Sequence, residues 1–319
     1  MPNIIFLNAN SDRRLDDPVI KKAYPELHPE VRQEKILKVI QDTLNDNNDD
    51  VIFHLFELST DMLYFFTKYA ADNSFYTYTA KYNYSRLAFH HLVLYKNQNI
   101  IKSIDKIPLT KSEFYFPDED RPVAPKVGEQ ATEAFLAYKD EVLDDTFEKA
   151  VVLIEAQFDD VIVHIYCVHL GLSNEARVRQ SEKLVEIIRA ETINANRPFI
   201  IGGDFNCFDA TKKIGLYDKQ IEIFKRIANW ETENFDSTFN AYPHDLQFKM
   251  EPEEIIEYRR LLSDIGNVEL FRHFCDMIVE KYGTKGGALD QIFTRDITVK
   301  VELIDVGNIT DHMMVKLII

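Results

Sequence analysis

Asp204 and Asn206 stand two residues apart in FIIGGDFNCFDA, residues 199–210, directly after an apolar run and two glycines, and Asp209 follows within the same stretch. On an extended backbone, side chains at i and i+2 point to one side, so this carboxylate and this carboxamide are placed to face one ligand. Gly202 and Gly203 let the main chain approach it closely. Other apolar runs end in groups of the same kind: Asn8 after IIFL, Glu57 after VIFHLF and His169 after VIVHIYCV. Two later runs begin with them, Asp290 in LDQIF and Asp311–His312 before MMVKLII.

Glu57, Asp204 and Asp311 with Asn8 and Asn206 form an oxygen-rich set without a thiolate. Hard divalent cations prefer such donors, so Mg²⁺, with Mn²⁺ as a substitute, is the expected cofactor. Carboxylates gathered without a cation would repel one another and rise in pKa. His312, backed by Asp290, is expected to donate to a phosphoryl oxygen, with His169 as a second donor. Asp204 is the expected acceptor of a proton from the attacking water, which makes the reaction a metal-assisted hydrolysis of a phosphate ester.

Distant chain segments can meet in this way only if strand ends and strand starts share one edge of a sheet, as they do in mixed or antiparallel sheets. Short apolar runs predict strands at 4–7, 51–56, 87–95, 151–158, 161–168, 199–201, 289–293, 299–306 and 313–319. Helical spacing marks 30–44 and 175–194. The short FDD junction near residues 158–160 predicts an antiparallel hairpin and argues against a simple parallel doubly wound sheet. Two stretches lack strand character: 105–148, rich in proline and acids, and 244–282, which reads as helical. They are excursions, either lids over a site or surface decoration. The aromatic-rich stretch 75–91 reads as ordinary strand packing, and His90–His91, Met313–Met314 and Cys207 read as structural.

Bulk properties exclude some partners. The chain has 319 residues, with 37 basic against 53 acidic, a net charge of -16. That balance disfavours tight binding of duplex DNA and weighs against anionic membranes. Three cysteines at unrelated positions, Cys167, Cys207 and Cys275, point to free thiols in a reducing compartment. The apolar stretch at the N-terminus is too short for a signal peptide, and none approaches the roughly 18 residues of a membrane helix. The expectation is a cytoplasmic protein without stable membrane insertion.

In their order, Asn8, Glu57, VHL with His169, GDFN with Asp204 and Asn206, LDQIF with Asp290 and TDH with Asp311 and His312 resemble the endonuclease/exonuclease/phosphatase superfamily, from about residue 3 to residue 319. The resemblance implies a single α+β domain, a four-layered α/β/β/α sandwich of two mixed β-sheets (DNase I-like). It implies that Glu57 is the principal Mg²⁺ ligand, Asn8 its neighbour and Asp311 a further metal-site carboxylate. Asp204 would activate water, Asn206 would orient water and phosphate, and Asp290 would hold His312 against the scissile phosphate. His169 takes the place of the family's phosphate-contacting His or Tyr, and Arg177 and Gln180 match its Arg-x-x-Gln helix. Many relatives carry Tyr or His where Gln291 stands, which leaves pocket shape open.

Three functions follow as alternatives. The first is a Mg²⁺-dependent phosphodiesterase acting on a nucleic-acid end, a nucleotide or a phosphodiester lipid. The second is a phosphomonoesterase on inositol phosphates or phosphoinositides. The third is a binding protein that keeps the fold without catalysis, weakened because every acid the mechanism needs is present.

Overall fold

The computed structural model describes residues 2–9, 17–25, 28–47, 50–84, 87–109, 149–171, 174–206, 219–233, 235, 239–240, 250–282, 285–287, 289–306 and 312–319. In chain order these residues form β1 (Asn3–Asn8), α1 (Pro18–Ala23), α2 (Pro29–Asn47), β2 (Val51–Leu58), α3 (Thr60–Asp72), β3 (Tyr76–Tyr84), β4 (Leu87–Tyr95) and β5 (Ile101–Pro108). After 110–148, which lie outside the described residues, come β6 (Ala150–Phe158), β7 (Val161–His169), α4 (Asn174–Ile188), β8 (Phe199–Asp204) and α5 (Lys219–Lys225). The chain continues through β9 (Asn229–Trp230), β10 (Phe239–Asn240), α6 (Pro252–Leu262), α7 (Val268–Tyr282), β11 (Lys285–Gly287), β12 (Asp290–Arg295), β13 (Lys300–Ile304) and β14 (Met314–Ile318).

Two six-stranded sheets result, ordered β13-β14-β1-β2-β4-β3 and β5-β6-β7-β8-β12-β9. Both are mixed, because β1–β2 and β7–β8 run parallel while their other pairs are antiparallel. Alternation along each strand explains why the sheets face each other. Ile4, Phe6, Ile52 and Phe56 of the first sheet meet Ile154, Ile165, Cys167, Ile200 and Ile292 of the second in one buried cluster. The intervening residues Ile5, Leu7, Phe53 and Leu55 point the other way and pack under Ile36, Ile40, Met62 and Phe66 of α2 and α3. On the far face of the second sheet, Tyr166, Phe199, Ile201 and Phe293 are covered by Leu184, Ile188, Ile221 and Phe224 of α4 and α5. The layers are therefore α/β/β/α.

A fourth buried cluster joins α1 to α6 and α7 through Val19, Ile20, Tyr258, Leu261, Phe271 and Phe274, and it includes Leu289, the neighbour of Asp290. The helical reading of 244–282 holds for its described part, where α6 starts with Pro252 in the first turn and a reciprocal capping box between Glu251 and Glu254. Residues 244–249 lie outside the described residues. Residues 105–108, read as strandless, instead complete β5, because main-chain pairing with β6 through Asp105↔Leu153 and Pro108↔Ala150 outweighs a weak local pattern. Helix 175–194 gives way to a wider π-helical turn at Arg189–Ile193. Among the described residues no helix is long and apolar enough to cross a membrane.

Candidate active site

The spacing of the two sheets is set by a missing side chain. A Cβ on Gly202 would lie 2.6 Å from Cζ of Phe6 on the opposite sheet and 2.9 Å from Cδ1 of Ile292, so only glycine lets the sheets close here. Two residues further along their strands, Asn8 and Asp204 touch, with Asn8 Nδ2 donating to Asp204 Oδ2 at 3.2 Å. Gly203 has φ +132, and a Cβ there would stand 2.1 Å from the Val168 carbonyl oxygen. The two glycines of GGDFN are thus demanded by close approach and by backbone conformation.

Strand pairing delivers the other groups. Parallel register sets His169 beside Asp204, and antiparallel register sets Asp290 opposite Asp204. His312, two residues before β14, places Nδ1 2.8 Å from Asp290 Oδ2 and Nε2 3.3 Å from Asn8 Nδ2. One tautomer satisfies both contacts: His312 Nδ1–H donates to the carboxylate, and Nε2 accepts from the second N–H of the Asn8 amide. His169 Nε2 and His312 Nε2 each lie 3.8 Å from Asp204 Oδ2, so this oxygen has three nitrogens around it. At 3.8 Å neither imidazole is hydrogen-bonded to it.

The loops that carry these side chains are fixed from behind. Asn206 does not continue the strand: its φ is +51, its main-chain N–H donates to Asp204 Oδ1 at 2.7 Å and its Nδ2 donates to the Leu170 carbonyl at 2.8 Å. The expectation that Asp204 and Asn206 share a face by strand alternation is therefore corrected, since β8 stops at Asp204 and a turn held by its carboxylate brings Asn206 round. From α4, Arg177 Nε donates to Gln220 Oε1 at 3.0 Å, and Gln220 Nε2 donates to the Phe205 carbonyl at 3.0 Å. Gln180 Oε1 accepts from Gly171 N–H at 2.8 Å. The Arg-x-x-Gln pair thus tethers the two segments that follow His169 and Asp204. On the other sheet, the buried guanidinium of Arg32 donates to the carbonyl of Ala9, next to Asn8.

Glu57 stands at the same edge. Phe56 pairs with Asn8, and its carbonyl accepts from Ala9 N–H at 2.9 Å. The β2–β4 register shifts by one residue between Leu55↔Leu92 and Leu58↔His90, and Glu57 within this bulge has φ +58. A left-handed glutamate in a bulge is costly, and bulges recur next to sites where a side chain must be re-aimed. The oxygens of Asn8 and Glu57 are of the kind that suits a hard cation. Among the described residues no group of three or more His, Cys, Asp or Glu forms a metal-holding cluster. Asp311, Asp209 and Cys207 lie outside the described residues.

Electrostatics differentiate the acids and bases. Burial, reinforced by the Asp290 charge and opposed by His312, the Asn206 N–H and Lys149, raises Asp204 from 3.8 to about 6. His169 is held well below the usual histidine range, first by burial and then by Lys149 and neighbouring imidazoles, so it faces Asp204 as a neutral ring.

Sequence reasoning passed over two groups near this edge, His54 and Lys149, and read a third, His91, as structural. His54 and His91 are fully buried between the sheets, with His54 Nε2 2.9 Å from His91 Nδ1, and Lys149 is only 3% exposed. The signal was present, because His54 and Phe56 alternate on the inner face of β2, as His91 and Val93 do on β4. Gln291, by contrast, faces away from the site: its Oε1 accepts from Trp230 Nε1 and Thr232 Oγ1, both at 2.6 Å.

No family model matches the chain, and no curated protein does. Solved structures do. A truncated Caenorhabditis elegans TDP2 matches with 13% identity over 99% of this chain and 96% of that one, at a TM-score of 0.52. The human nocturnin catalytic domain matches with 12% identity over 99% and 92%, TM-score 0.54. A mannosyl-6-phosphatase of Bacteroides thetaiotaomicron matches with 14% identity over 100% and 99%, TM-score 0.52. From its paired mixed sheets, its outer helices and these likenesses, the chain has the DNase I-like fold.

Proposed function

We propose that this chain is a phosphoric ester hydrolase, acting on a phosphodiester with Mg²⁺ as cofactor. The observation that carries the reading is the surrounding of Asp204 Oδ2 by Asn8 Nδ2, His169 Nε2 and His312 Nε2, with His312 held by Asp290. A carboxylate whose pKa lies near 6 is suited to take a proton from water near neutral pH. The Asp290 carboxylate stabilises a proton on His312, so that when substrate displaces the Asn8 contact His312 can donate to a phosphoryl or leaving oxygen. His169 supplies a neutral N–H to the same group, and Asn206, fixed by Leu170, borders it. Asn8, Glu57 and, as the resemblance implies, Asp311 would hold Mg²⁺, which when bound supplies Lewis-acid polarisation of the phosphorus–oxygen bond.

The structural relatives include a protein named as a mannosyl-6-phosphatase, so monoester hydrolysis is the competing reading. Rates on bis-(p-nitrophenyl) phosphate and p-nitrophenyl phosphate, with Mg²⁺ and with EDTA, separate the two. Faster, Mg²⁺-dependent turnover of the diester supports the proposal. Faster turnover of the monoester assigns the second reading, and silence toward a wide panel of esters rejects hydrolysis.

A further inference from the structure

The peptide unit between Phe205 and Asn206 is held at both ends. Its N–H, that of Asn206, donates to Asp204 Oδ1 at 2.7 Å. Its carbonyl, that of Phe205, accepts from Gln220 Nε2 at 3.0 Å. In a trans peptide these two groups point in opposite directions, so a partner that fixes the carbonyl also aims the N–H. Gln220 comes from α5, is 1% exposed and is itself oriented, because Arg177 Nε donates to its Oε1 at 3.0 Å. A guanidinium cannot accept and a carbonyl cannot donate, so these two partners leave one orientation for the Gln220 amide.

The contacts form one directed chain, from the Arg177 guanidinium to the Gln220 amide, from that amide to the 205–206 peptide, and from the peptide to the Asp204 carboxylate. Each amide in such a chain is polarised by the one before it, which strengthens the last bond. That last bond decides how the carboxylate lies. With Oδ1 taken by the Asn206 N–H, Oδ2 is the oxygen turned toward Asn8 Nδ2, His169 and His312. The preceding peptide is fixed separately, since the Phe205 N–H donates to the Leu289 carbonyl at 2.9 Å. Asn206 has φ +51, a conformation that a residue other than glycine keeps where its surroundings impose it.

We infer that Gln220 is a positioning residue of the site: through the 205–206 peptide it holds the Asp204 carboxylate with Oδ2 facing Asn8 and the two imidazoles. The inference rests on the hydrolase reading for what that orientation serves. It gives a role to α5, which the ordered motifs do not include.

The test compares the wild type with Gln220→Glu and Gln220→Asn. Glutamate still accepts from Arg177 but sets an oxygen against the Phe205 carbonyl, and asparagine, one methylene shorter, cannot span both partners. In ¹H–¹⁵N spectra without metal, the Asn206 amide proton should stand downfield in the wild type, as a short bond to a carboxylate requires, and move upfield in both variants. The Phe205 amide proton, held by Leu289, should keep its position. With Mg²⁺, kcat on bis-(p-nitrophenyl) phosphate should fall by about 10- to 100-fold in both variants, with KM unchanged within about twofold. An Asn206 resonance that stays in place, a Phe205 resonance that moves with it as in a merely loosened turn, or a kcat equal to the wild type's overturns the inference. Should one variant fail to fold, the other decides. Should both fail, the scalar coupling across the hydrogen bond between Gln220 Nε2 and the Phe205 carbonyl carbon in the labelled wild type decides, its presence supporting the inference and its absence overturning it. Asn206 shifts as expected in a protein that hydrolyses no ester would sink the hydrolase reading and leave the hold of Gln220 on Asp204 standing.

Discussion

Replacing Asp204 by Asn should remove turnover and, without metal, make the protein more stable at pH 8. The folded state raises Asp204 from 3.8 to about 6, chiefly by burial. At about 1.4 kcal/mol per unit, this is a cost of about 3 kcal/mol once the carboxyl is ionised in both states. The sign follows from proton counting. Between about pH 4 and pH 6 the folded chain keeps a proton that the unfolded chain has released, so stability falls as pH rises through that window and the full cost remains above it. Asn at 204 never ionises and escapes the cost, but one N–H of Asn8 loses its acceptor at 3.2 Å, a loss of about 1 kcal/mol. The net expectation is a gain of about 2 kcal/mol at pH 8 that disappears by pH 4. Urea unfolding in EDTA at pH 4, 6 and 8 measures it, and activity with Mg²⁺ should fall by about 10²- to 10⁴-fold. A variant equal to or weaker than the wild type at pH 8, or a difference that does not change with pH, would refute the account of Asp204 as a desolvated carboxylate.

Other expectations follow from single contacts. Gly202→Ala should cost about 1–3 kcal/mol by driving a methyl group into Phe6. The shorter side chain of Phe6→Leu should relieve part of it, and an identical cost in both backgrounds contradicts the close-approach argument. Burial lowers His54 to about 3, so its neutral form stabilises the fold at neutral pH and that contribution is lost as pH falls from about 6.5 toward 3. His54→Phe should therefore gain about 2–3 kcal/mol relative to the wild type between pH 7 and pH 4.5; parallel urea midpoints at the two pH values contradict this. Gln291→Ala strips Thr232 of its acceptor and leaves Trp230 Nε1 only Thr232 Oγ1 at 3.1 Å, and should cost about 1–3 kcal/mol with kcat/KM unchanged within about twofold. A changed substrate preference would put Gln291 back among the pocket residues.

Much of this arrangement is legible in the sequence because it rests on strand alternation. Apolar runs of three to nine residues mark β1, β2, β4, β6, β7 and β8, and those of β1, β2, β7 and β8 are followed by polar groups that reach the sheet edge. The meeting of Asn8, His169, Asp204, Asp290 and His312 was accordingly expected from strand ends and starts. Residues 105–108 were missed because an edge strand with alternating exposure carries a weak apolar signal and is fixed by its partner. Asn206 was placed by the wrong geometry: nothing local shows that the strand stops at Asp204 and that the carboxylate itself caps the turn. His54 alternates inward with Phe56, so its burial was legible, but its contact with His91, itself read as structural, follows only from the pairing of β2 with β4, and nothing local marks Lys149 as buried.

The central claim is that Asp204 and His312, brought together by the closing of two sheets, carry out hydrolysis of a phosphate ester. The most direct measurement is the single-turnover rate on bis-(p-nitrophenyl) phosphate at saturating Mg²⁺ for the wild type and His312→Ala. The account predicts Mg²⁺-dependent cleavage by the wild type and a fall of about 10²- to 10⁴-fold in the variant, with its fold intact by circular dichroism. Equal rates in the two proteins, or cleavage by the wild type that persists undiminished in EDTA, would contradict it.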